Sequence, residues 1–69
     1  MKPVSGKRLV EIARARGWFF VSQKGSHVKL RNPIDAGMVV VPLHGNRDMR
    51  PGLQRSLMRQ LGIEEADLR

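Results

Sequence analysis

The chain has 69 residues, no cysteine, and thirteen lysines and arginines against six carboxylates, for a formal net charge of +7. Disulfides and thiolate zinc sites are excluded, and a core this small stands near the limit of independent stability, so a partner protein is the remaining stabilising device. Three of the six acids (Glu64, Glu65 and Asp67) fall in the last six residues, leaving residues 1–63 with twelve basic and three acidic side chains. A surplus of that size suits a nucleic-acid backbone, and membrane headgroups are the weaker alternative because no basic amphipathic helix with bulky apolar anchors is present.

Ser5 is a suitable N-cap, and behind it Leu9, Ile12 and Ala13 recur at helical spacing. Gly17 fits the left-handed position that ends a helix, which predicts a first helix over Gly6 to Arg16. Trp18 to Gln23 is aromatic and β-branched, predicting a strand that runs into a tight turn at Lys24-Gly25. His27-Val28-Lys29-Leu30-Arg31 alternates between polar and apolar residues, as a half-buried strand does. Asn32 to Gly37 is turn chemistry, and Met38 to Val41 is a third strand closed by Pro42. Leu43 to Arg50 reads as an irregular basic loop. Pro51 opens a second helix, on which Leu53, Leu57 and Leu61 form a stripe widened by Met58, and Gly62 ends it. Ile63 to Arg69 is either a frayed helical turn or a disordered tail.

The expected architecture is α+β, a two-layer sandwich in the order α-β-β-β-α, with an antiparallel three-stranded sheet and both helices on one face. Residues 1–69 are expected to form a single domain. Pairing Arg31 with Met38 sets Leu30 opposite Val39 and Val28 opposite Val41, which makes one consistent apolar face. His27, Lys29 and Arg31 then point to the uncovered face, and His27 stands beside Pro42. His44 follows two residues later and either comes within reach of His27 or splays away. The hairpin register gives Phe20 and Trp18 the same facing as Lys29. Stacking on bases is one reading of that placement, and a core position is preferred for Trp18.

Gly17-Trp18, Lys24-Gly25-Ser26-His27, Val41-Pro42 and Arg50-Pro51-Gly52-Leu53 resemble, in order and spacing, the HicA (YcfA-like) family, the toxins of HicA–HicB toxin–antitoxin pairs. The resemblance runs from Ser5 to about Ile63. It departs at Leu53, where the family commonly has threonine, and in the short acidic tail. It implies a fold like that of double-stranded-RNA-binding domains. It also implies a type II toxin that cleaves mRNA independently of the ribosome, a HicB-like antitoxin as protein partner, and an essential histidine at His27.

The residue types agree with that implication. RNA carries its own nucleophile in the ribose hydroxyl, and histidine, with an ordinary pKa near neutrality, suits the removal of its proton. Lys24, Lys29 and Arg31 are candidates for RNA binding and for steadying charge at phosphorus, with Ser26 as a turn residue or phosphate donor. His44 is a possible second acid or base, or a solvated loop residue. No cofactor or metal is expected, and the first eight residues have no apolar run behind their charges, so a cytoplasmic location is expected. The alternative from another class is a non-catalytic RNA-binding module of the same fold, in which His27 is one phosphate contact among several. A third possibility keeps the antitoxin-binding surface without activity.

Overall fold

A computed structural model of the chain describes residues 1–69. The element order is α1 (Gly6–Ala15), β1 (Phe19–Lys24), β2 (His27–Arg31), β3 (Met38–Pro42) and α2 (Pro51–Leu61), followed by a 3-10 turn over Glu65–Leu68. The sheet is antiparallel with strand order β1-β2-β3. The α-β-β-β-α order and the α+β class are as expected. No helix is long and apolar enough to cross a membrane.

Each boundary has a local cause. Ser5 Oγ accepts a hydrogen bond from the Arg8 amide at 3.1 Å and so caps the first turn of α1. Pro51 occupies the first turn of α2, where a missing amide hydrogen breaks no bond, and Gly62 ends that helix in the left-handed region at φ 69°. Gly6 answers a different need. A Cβ there would run into the carbonyl oxygen of Pro42, because the start of α1 is pressed against the end of β3.

The core joins Leu9, Ile12 and Ala13 of α1 and Leu57, Met58 and Leu61 of α2 to Val28, Leu30, Val39 and Val41 of the sheet. Both helices therefore lie on one face of the sheet. The β2–β3 register pairs Arg31 with Met38, Leu30 with Val39, Val28 with Val41 and His27 with Pro42, as the alternation requires. Residues paired across an antiparallel ladder share a face. His27, Lys29 and Arg31, alternating with the buried Val28 and Leu30, thus lie on the open side.

Four expectations are corrected. First, β1 begins at Phe19, because Trp18 is drawn into the core, where its indole N–H donates to the Leu61 carbonyl at 3.1 Å. Second, the turn centres on Gly25-Ser26 with Lys24 paired to His27, and a bulge lies between Phe20 and Ser22. Gly25 has φ 58°, which suits the first central position of a two-residue hairpin turn.

Third, Leu53 is exposed and the buried position on α2 is Gln54. Its Oε1 accepts from the Val4 amide at 3.0 Å and its Nε2 donates to the Lys2 carbonyl at 2.8 Å, which pins the N-terminal segment to the helix. A polar side chain tolerates full burial only with such partners. Fourth, the C-terminal residues are docked. Ile63 and Leu68 are buried in the core, Asp67 pairs with Arg16 at 2.9 Å, and Glu65 lies 3.1 Å from the terminal amine of Met1.

Candidate active site

The open face of the sheet collects functional groups from all three strands. In β1, Ser22 is paired with Lys29 and Lys24 with His27. In β3, Val40 is paired with Lys29 and Pro42 with His27. Ser22, Lys24, His27, Lys29 and Val40 line one shallow basin of about 390 Å³. All of them are exposed, so an extended polymer can approach without the protein moving.

The electrostatics of this face follow from where the acids have gone. The three ion pairs of the chain are Met1–Glu65, Arg8–Glu11 and Arg16–Asp67. Asp35 accepts from the Gly37 amide within its own loop, and Glu64 and Asp67 cap the 3-10 turn. Lys24 and Lys29 thus carry unneutralised charge beside His27, and the field over this basin favours an anion.

The residues singled out from the sequence are placed unequally. Lys24 and Lys29 stand with His27 in the same basin. Arg31 is on the same face, four residues along β2, and lines a neighbouring basin. Ser26 sits in the hairpin turn, where its carbonyl accepts from the Leu43 amide at 2.6 Å and extends the sheet pairing past Pro42. His44 lines a separate basin with Gly6, Arg47, Asp48, Met49, Arg50 and others.

Phe20 pairs with Leu30, and the Arg14 guanidinium of α1 stands 5.8 Å from its ring centroid, so Phe20 belongs to the helix side of the sheet. The bulge gives the open face to Phe19, which pairs with Arg31. Besides Val40 and Met38 of β3, two open-face residues of β1 were missed in the sequence. Ser22 was legible in principle from its spacing to Lys24, whereas Phe19 was not, because a bulge leaves no reliable mark in a strand sequence.

The structure thus defines the class: a small basic α+β protein with a histidine among lysines on the open face of its sheet, an arrangement that suits an anionic ligand. The family follows from sequence comparison: residues 6–63 match the model of the HicA toxin of bacterial toxin–antitoxin pairs, and the chain belongs to the HicA toxin family. It is 36% identical over 52 residues to a protein of Pseudomonas fluorescens (strain Pf0-1) named "Probable mRNA interferase HicA", a match spanning 75% of this chain and 83% of that relative.

Proposed function

We propose that this toxin is a ribosome-independent, metal-independent endoribonuclease that cleaves mRNA, with His27 as its general base. The observation that carries the reading is His27 on the open face among unpaired cations, with Lys24 directly across the ladder and Lys29 two residues along the strand. Membership of the HicA toxin family and the name of the Pseudomonas relative support the substrate class.

In the proposed step His27 takes the proton of a ribose 2′-hydroxyl, and the freed oxygen attacks the adjacent phosphorus. Lys24 and Lys29 offset the charge that builds on the non-bridging oxygens. The bond from phosphorus to the 5′ oxygen breaks, and that oxygen takes up a proton. The products are a 2′,3′-cyclic phosphate and a 5′-hydroxyl. Arg31 and Ser26 are proposed as further RNA contacts, Arg31 along the track and Ser26 at its turn end. His44, in its own basin, is assigned no part in the step. The residues at the reacting centre need no cofactor for this chemistry.

The partner proposed from the family is a HicB-like antitoxin that silences the nuclease, with the whole pair working in the cytoplasm. The exposure of His27 favours a second reading, a non-catalytic RNA-binding module, because exposed phosphate-contacting histidines look the same before substrate arrives. The ends of the products separate the two. Purified protein and a synthetic mRNA in excess chelator, without ribosomes, are expected to yield cyclic phosphate ends. Linear phosphate ends from the earliest time point, or no cleavage, would contradict the proposed step.

A further inference from the structure

At the other end of β2 from His27 lies a second, larger and open basin of about 600 Å³, which Phe20 at the edge of the helix side also lines. It forms where the start of β1, the end of β2 and the β2–β3 loop meet, and Phe19, Arg31, Asn32, Ile34 and Asp35 are among its lining residues. Phe19 is 59% exposed and Ile34 is 94% exposed, the most exposed large apolar side chain in the protein. Ile34 is held out by a fastened loop. Asn32 Oδ1 accepts from the amides of Ile34 (2.8 Å) and Asp35 (3.4 Å), and the Asn32 amide donates to the Gly37 carbonyl at 2.8 Å. An aromatic ring, a guanidinium and an exposed aliphatic side chain therefore line one open space.

We infer that this basin binds an unpaired nucleobase of the RNA strand whose scissile phosphate lies at His27. The inference rests on the nuclease reading and adds a substrate requirement to it. Phe19 offers its π-face for stacking, Arg31 adds a cation that any base tolerates, and Ile34 closes the apolar side. Along β2, Arg31 and His27 are about 13 Å apart at the rise of an extended strand, so a short run of backbone connects the two basins. Lys29 stands between them with its charge unpaired, on the path that backbone follows. The row of cations from Lys24 through Lys29 to Arg31, against the single acid Asp35 at the far basin, favours a polyanion over a protein segment as the occupant. A base held in a duplex cannot turn its face to Phe19, so the substrate is single-stranded at this position.

The test uses the full chain carrying His27→Ala, so that the strand stays whole, and single-stranded RNAs with the fluorescent base 2-aminopurine at successive positions. Stacking quenches this base. Quenching at one position is expected, with Phe19→Ala removing it and weakening binding roughly five- to a hundredfold. Phe19→Trp is expected to restore both, and circular dichroism confirms that each variant is folded. Quenching at no position, or quenching and affinity unchanged in Phe19→Ala, overturns the base site. So does a Phe19→Ala variant that binds RNA normally but loses affinity for the antitoxin, which assigns the basin to the protein partner. Cleavage by the chain with native His27 is measured separately. Phe19-dependent quenching without cleavage keeps the base site and refutes the nuclease reading.

Discussion

His27 derives its character from residues distant in sequence as much as from its neighbours. The hairpin places Lys24 across from it, the strand period places Lys29 beside it, and β3 supplies Val40 to the same basin and pairs Pro42 with it on the ladder. The two histidines are chemically alike but differ in company, His27 lining a basin with Lys24 and Lys29 and His44 one with Arg47, Asp48 and Arg50. Replacing each by alanine therefore separates their roles. His44→Ala is expected to keep cleavage within about threefold of the native rate, while Lys24→Ala lowers it by about a hundredfold through lost charge stabilisation at phosphorus. Single-turnover rates on one RNA check both, and a loss in His44→Ala as large as that in Lys24→Ala would contradict the assignment.

The elements show where the sequence was legible and where it was not. Helix caps, glycine stops and the β2–β3 ladder follow from local chemistry, and each matches its expected position to within a residue. The facing of His27, Lys29 and Arg31 was legible for the same reason, since strand alternation alone assigns it, whereas Lys24, expected in the turn, joins the ladder opposite His27. The expected facing of Phe20 failed because a one-residue bulge shifts every residue before it, and no local propensity announces such a shift. Gln54 was missed because its burial depends on the Val4 amide and the Lys2 carbonyl, some fifty positions away in the chain. A helical turn in the tail was one of the two readings and is present, but its docking was not legible, because Asp67 and Glu65 find partners only once the fold brings Arg16 and Met1 near. Those exposed pairs are worth little singly, so Leu68 is the main anchor. Leu68→Ala is expected to destabilise the protein by about 2 to 4 kcal/mol, read as a shift in denaturation midpoint. A variant as stable as the native chain would show that the tail is not part of the core.

At the scale of the whole molecule, charge is segregated. Acidic residues fasten the C-terminal tail to the N-terminus and to α1, on the helix layer, and the open sheet face keeps its cations free. One layer thus stabilises, with a core of only fourteen buried apolar residues, and the other is the face on which the proposed function places the RNA. RNA binding is expected to weaken with salt, and removing one phosphate-contacting cation from a single-stranded complex should flatten the log–log slope by about 0.7. For Lys29→Ala that change is read from titrations at several salt concentrations. An unchanged slope would place the RNA off this face.

All of this turns on whether His27 breaks the strand or only touches it. The deciding measurement incubates end-labelled mRNA with the native chain and with His27→Ala, in excess chelator and without ribosomes, alongside a binding titration and circular dichroism. Cleavage by the native chain alone, with both proteins folded and binding RNA about equally, is the predicted result. Binding by both with cleavage by neither, or equal cleavage by both, would contradict it.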